Sequence, residues 1–163
     1  MKLIIATPSP FARKARVALL EKKIDFEEIV DVPWNQNTLT KGINPLGKIP
    51  VLIQDNHEPL FDSKLIVQYL DCYKPHPLMY PENPEENISA RLIETVADGV
   101  CDAIVLVFLE NARKEMLRSK DWIKRQERKI FEGIKYLSYQ LKDKNYFVGN
   151  SFNIADICGY PCL

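Results

Sequence analysis

The sequence is poor in what several classes of function require. Its 163 residues hold only two histidines, His57 and His76, and four cysteines, Cys72, Cys101, Cys158 and Cys162, with no C-x-x-C pair among them. Zinc sites and vicinal dithiols depend on such spacings. No metal or dithiol chemistry is therefore expected, and the cysteines read as reduced structural residues of a cytosolic chain. An excess of one charge is also missing, since Lys+Arg and Asp+Glu are 22 each. Phosphate-binding chains normally carry a basic surplus, so no nucleic-acid partner is expected. Long apolar runs are absent too. The longest, residues 103–109, falls far short of the roughly 20 residues of a membrane span. The apolar residues 3–6, followed by Pro8 and Pro10, are too few for a signal peptide. A cytoplasmic protein with no membrane partner is the expectation.

What is present is a globular composition, 46% apolar and 27% charged, at a length for one domain or two small ones. The two halves differ in pattern. Four prolines within residues 74–84 (Pro75, Pro77, Pro81 and Pro84) exclude helix and central strand, because each lacks a donor and restricts its predecessor. Residues 75–84 therefore read as a linker between domains at 1–74 and 85–163. The first half reads β-α-β then β-β-α, with strands at 3–6, 26–30, 51–53 and 59–61. Its helices are 11–23, with Phe11, Ala15, Ala18, Leu19 and Leu20 on one face, and 63–72, with Leu65, Ile66, Tyr69 and Leu70. That order suggests a thioredoxin-like sheet. The second half is helical. One helix runs from 85 to about 118 with Ile88, Leu92 and Val96 apolar, and another spans 121–142 with Asp121 as its N-cap. A third opens at Asn153-Ile154-Ala155-Asp156, a capping-box variant.

Three segments are candidates for chemistry. In Ser9-Pro10-Phe11, Ser9 is placed as an N-cap and Pro10 at the first helical position. A hydroxyl beside a helix N-terminus either caps the helix or donates to an anion such as a thiolate. In Asn44-Pro45-Leu46-Gly47-Lys48-Ile49-Pro50, two prolines and a glycine constrain a loop entering a strand, and a cis Pro50 would turn the Ile49 main chain outward. In Asp62-Ser63, either residue caps the helix at 63. The alternative is an anion site, with the Ser63 hydroxyl taking a carboxylate and Asp62 an adjacent ammonium. Each segment also has an ordinary structural role, as a cap or a turn.

Taken in this order, the segments 9–14, 44–50 and 62–63, with the Asn153–Asp156 box and Ala97-Asp98-Gly99, resemble the glutathione S-transferase family. The similarity is greatest to the bacterial serine-type branch near the theta and zeta classes. The resemblance implies an α/β thioredoxin-like N-terminal domain followed by an all-α C-terminal domain, as a homodimer. It implies glutathione as co-substrate, a small hydrophobic electrophile as acceptor, and a role in detoxification. It places Ser9 on the glutathione sulfur and a cis Pro50, with the Ile49 main chain on the cysteinyl unit. Asp62 and Ser63 take the γ-glutamyl end and Lys48 the glycyl carboxylate. Trp34 and Phe11 complete the walls. Alternatives on the same fold are a non-catalytic regulator like the stringent starvation protein A group, and a glutathione-dependent isomerase or reductase. The helix opened at Asn153 is expected to be short, since Gly159 and Pro161 follow. That would leave the apolar faces of residues 88–109 and 123–141 partly uncovered and favour association.

Overall fold

Leu3, Ile4 and Ile5 are all but fully buried, which suits them to an inner strand. The computed structural model describes all of residues 1–163 and makes them β1 (Lys2–Ile5). β1 pairs in parallel with β2 (Glu27–Val30) and antiparallel with β3 (Val51–Ile53), which pairs antiparallel with β4 (Pro59–Phe61). The sheet order is β2-β1-β3-β4. The parallel β1–β2 pair is joined by α1 (Pro10–Glu21), as a crossover connection requires. A turn at residues 55–57 joins β3 to β4, and α2 (Ser63–Tyr73) follows. The thioredoxin-like arrangement is thus present.

The helix faces are largely the expected ones and differ at their edges. On α1 the buried stripe is Ala12, Lys14, Ala15, Ala18 and Leu19, and Leu20 is 61% exposed. On α2 Ile66, Val67 and Leu70 face inward and Leu65 is half exposed. Lys22, just past α1, is completely buried. Its ammonium meets the Asp71 carboxylate at 2.7 Å and donates to the carbonyls of Lys74 and Pro77 at 2.7 and 2.6 Å. Asp71 also accepts from the Met79 and Tyr80 N–H groups at 2.9 Å. Residues 75–80, expected within the linker, are tied down by this charge-assisted network. The chain divides after them, into Met1–Tyr80 and Pro81–Leu163.

The second unit is three helices. α3 (Pro84–Asn111) is capped by Asn83, whose side chain accepts from the Glu85 and Glu86 N–H groups. It ends earlier than the expected 118. The Glu110 carboxylate accepts from the Ser119 N–H at 2.7 Å and pairs with Arg113, fixing the chain reversal. α4 (Lys120–Leu141) is capped by Ser119 and not by Asp121. Asp121 lies instead in the first turn, where an acid favours the helix dipole. The buried face of α3 is Ala90, Ile93, Ala97, Val100 and Cys101, while Ile88 and Leu92 are 69% and 50% exposed. α5 (Ile154–Gly159) is buried throughout. The Asn153 side chain accepts from the Ala155 N–H, and Asp156 accepts from the Asn153 and Phe147 N–H groups at 2.9 Å each, closing the expected box.

The α3–α4 contact makes a paired prediction. A Cβ on Gly133 of α4 would stand 2.3 Å from Val100 Cγ2, whereas one on Gly99 of α3 would meet nothing within 4 Å. Val is stiff at χ1, so Gly133→Ala is expected to destabilise by about 1–3 kcal/mol. Gly99→Ala should instead stabilise by about 0.5–1 kcal/mol through helix propensity. Urea unfolding of both variants checks the opposite signs.

Candidate functional site

The strand register gathers the candidate residues. Ile4 of β1 faces Val51 of β3, and Val51 faces Phe61 of β4. The segment leaving β1, the segment entering β3 and the segment leaving β4 therefore emerge at one end of the sheet. Ser9, Ile49–Pro50 and Asp62–Ser63 lie on these segments. Because β2 runs parallel to β1, the loop carrying Trp34 leaves from the same end, beyond the outer strand on the other side of β1.

Ser9 is the N-cap of α1. Its Oγ accepts from the Ala12 N–H at 3.2 Å, and its own N–H donates to the Ala6 carbonyl at 2.9 Å. A capping hydroxyl uses its oxygen and keeps its proton available for donation, so capping and contact with an anion are compatible in one residue. Phe11, in the first turn of α1, is half-buried.

The loop before β3 is held by Asn44, which is 3% exposed. Its Nδ2 donates to the Lys48 carbonyl at 2.8 Å and its Oδ1 accepts from the Leu46 N–H at 2.9 Å. Gly47 adopts φ +58°, a conformation open to glycine without penalty. The Ile49–Pro50 peptide bond is cis, as expected. Neither main-chain group of Ile49 enters the turn, loop and cap hydrogen bonds of the chain. Pro50 is buried, Ile49 is half-buried and Lys48 is exposed.

Asp62 is the N-cap of α2, with φ +77°, a conformation uncommon for a residue with a side chain and frequent at functional sites. Its Oδ1 accepts from the Lys64 and Leu65 N–H groups at 2.8 and 3.4 Å, and its second oxygen takes no part in these bonds. Ser63, the first residue of α2, is 5% exposed and its hydroxyl makes none of the chain's hydrogen bonds. A backbone donor set, a carboxylate oxygen and a hydroxyl thus stand together at one helix N-terminus. Trp34 is 63% exposed.

Two organising groups carry no obvious sequence signal for this role. One is Asn44, legible only as part of its turn-forming segment. The other is Asp31, whose Oδ2 accepts from the hydroxyls of Thr38 and Thr40 at 2.6 and 2.5 Å and from the Thr40 N–H at 3.1 Å. It braces the loop that contains Trp34. Three or more metal-binding side chains do not cluster anywhere in the chain, and no helix is long and apolar enough to cross a membrane.

Residues 8–72 match the model of the glutathione S-transferase N-terminal domain, and residues 96–163 that of the C-terminal domain. The chain is 40% identical over 143 residues to the uncharacterized GST-like protein YibF of Escherichia coli K12, spanning 88% of this chain and 71% of that protein. It belongs to the glutathione S-transferase family. Among solved structures it is similar to a Methylobacterium radiotolerans glutathione S-transferase complexed with glutathione sulfonate. The TM-score is 0.94 and the identity 42%, over 96% of this chain and 74% of that one. A Methylobacillus flagellatus glutathione S-transferase with glutathione bound gives a TM-score of 0.92 at 37% identity, over 99% of this chain and 79% of that one.

For this family member the Asp31 brace predicts an acid sensitivity. Burial raises the Asp31 carboxyl, but hydrogen bonds from Thr38, Thr40 and Leu39 outweigh it and hold the group below its ordinary value. The stability it contributes is present above about pH 4 and is lost as pH falls through the lower folded value. Asp31→Asn should therefore flatten the acid limb of the stability–pH curve while changing little near its low-pH end, which thermal melts between pH 2 and pH 7 (a range set by ordinary carboxylate titration) will show.

Proposed function

We propose that the chain is a glutathione transferase that conjugates glutathione to a small hydrophobic electrophile, acting as a homodimer. The observation that carries this reading is the convergence, at one end of one sheet, of the Ser9 cap, the unused Ile49 main chain and the Asp62–Ser63 helix N-terminus. The glutathione-bound relatives support it. In this reading Ile49 pairs through its backbone with the cysteinyl unit, against Pro50. Ser63 and the α2 N–H groups take the γ-glutamyl carboxylate, Asp62 takes its ammonium, and Lys48 approaches the glycyl carboxylate. Trp34 and Phe11 border the tripeptide.

The chemistry follows from these placements. Glutathione held by its ends presents its sulfur at the α1 N-terminus. There the helix dipole and the Ser9 hydroxyl proton favour thiolate over thiol. The thiolate attacks the electrophilic carbon, the new S–C bond forms, and the leaving group or the displaced π-electron pair takes up the charge. Holding both reactants together supplies the proximity term, and Ser9 the electrostatic one. Electrophile screening with glutathione present is the direct test of the acceptor class.

Two substitutions separate binding from folding. Asp62→Asn keeps an N-cap and tolerates the positive φ, so the melting temperature should hold. Loss of the charged contact should weaken glutathione binding by about 1.5–3 kcal/mol, read by titration calorimetry. Wild-type affinity in that variant overturns the ammonium assignment.

Ser9→Ala should cost about 1 kcal/mol of stability as a lost cap. It should also raise the pKa of bound glutathione thiol, followed by ultraviolet absorbance of the thiolate. A stability loss with an unchanged thiol pKa leaves Ser9 as a cap alone.

A further inference from the structure

Three of the four cysteines lie in the second unit, and the structure brings Cys101 beside Cys162, 61 residues further along the chain. Cys101 sits on the buried face of α3, and Cys162 stands on the short 3-10 turn Tyr160–Cys162 that follows α5. Their sulfurs are 4.0 Å apart. The Cys162 Sγ also reaches the Cys158 carbonyl at 3.5 Å and the Ala97 carbonyl at 3.9 Å, so this side chain helps to seat the turn against α3. Cys101 is only 9% exposed, while Cys162 is partly open. None of these thiols belongs to the glutathione-transferase chemistry proposed above.

We propose that Cys162 is a hydroperoxide-reactive thiol and that Cys101 resolves it, forming an intramolecular disulfide that locks the segment after α5 onto α3. The accessible sulfur reacts first. Cys162 gives up to solvent the proton it shares with the Cys158 and Ala97 carbonyls, its sulfur attacks one peroxide oxygen, the O–O bond breaks, and the products are a Cys162 sulfenic acid and, after the departing hydroxide takes a proton, water. The Cys101 sulfur then attacks the sulfenic sulfur, the S–O bond breaks, and hydroxide leaves with the Cys101 proton as a second water. Two thiols are oxidised and one hydrogen peroxide is reduced, so atoms and electrons balance. Cys101 is the less reactive of the two toward peroxide. The contact with Cys162 and burial both push the Cys101 thiol up, which keeps it protonated and unreactive toward peroxide until the sulfenic acid stands beside it. A disulfide needs sulfurs at about 2.05 Å, so closure draws the two sulfurs together from their 4.0 Å contact.

The test uses the full chain carrying Cys72→Ser, which removes the exposed thiol and its intermolecular disulfides. The protein is treated with hydrogen peroxide, alkylated, digested and mapped by mass spectrometry. The expected result is loss of two alkylatable thiols and a peptide joining Cys101 to Cys162. Cys158→Ser should leave that linkage intact and Cys162→Ser should abolish it. In Cys101→Ser, dimedone should trap the sulfenic acid at Cys162. The linkage should form at least tenfold more slowly in guanidinium-unfolded protein. Full alkylation of both cysteines after peroxide, a Cys158–Cys162 linkage in its place, or equal rates in folded and unfolded protein would overturn the proposal.

Discussion

The pairing of β1 with unlike neighbours on its two sides is the constraint on which the candidate site depends. With β2 parallel and β3 antiparallel, the C-terminal ends of β1 and β2 and the N-terminal end of β3 must share one end of the sheet. Antiparallel β4 then brings its own C-terminal end there. A slip of one residue in β3 would turn its side chains to the opposite face. Leu3, Val51 and Leu52 are each fully buried, so both faces of the strand are packed, and a slip would set side chains of the wrong shape against each close-packed layer. Core packing thus sets the positions of loops that contribute little to the core.

At two of these loop ends the groups that cap a helix are the ones to which the proposed function gives a second role. Ser9 and Asp62 each satisfy backbone donors that would otherwise be orphaned at a helix start. Each retains a second polar function beyond the cap, a hydroxyl proton in one case and a carboxylate oxygen in the other. The third element works through an intermediary. Asn44, buried beneath its loop, holds the Lys48 carbonyl and so orders the chain up to the cis peptide. The candidate site is built largely from main-chain groups, whose direction is set by neighbours in the fold more than by their own side chains.

The second unit is organised by close approach and buried polarity. Gly133 allows α4 to meet Val100 of α3, and Gly159 of α5 lies so near the Phe147 ring that a Cβ would stand 2.4 Å from it. Asn153 and Asp156 consume the polar groups of the turn before α5, which lets a six-residue helix be wholly buried. Burial raises the Asp156 carboxyl while the N–H groups of Phe147 and Asn153 work against that rise.

Sequence by itself determined the element types, the caps at Ser9 and Asn153, a cap at Asp62 or Ser63 that the structure resolves to Asp62, and the segments that hold the candidate site. These are local properties, written in turn residues, capping residues and periodicity. It was less informative about which helix face turns inward. Leu20, Leu65, Ile88 and Leu92 are apolar yet exposed, while Lys14, Lys22 and Gln126 are buried. Burial depends on what stands opposite, and a lysine such as Lys22 can be enclosed once Asp71 and two carbonyls surround it. Tertiary structure alone decided the convergence of three separated segments at one sheet end. It alone decided the bracing by Asp31 and Asn44 and the meeting of Cys101 with Cys162, because each is a contact whose partners no local pattern connects.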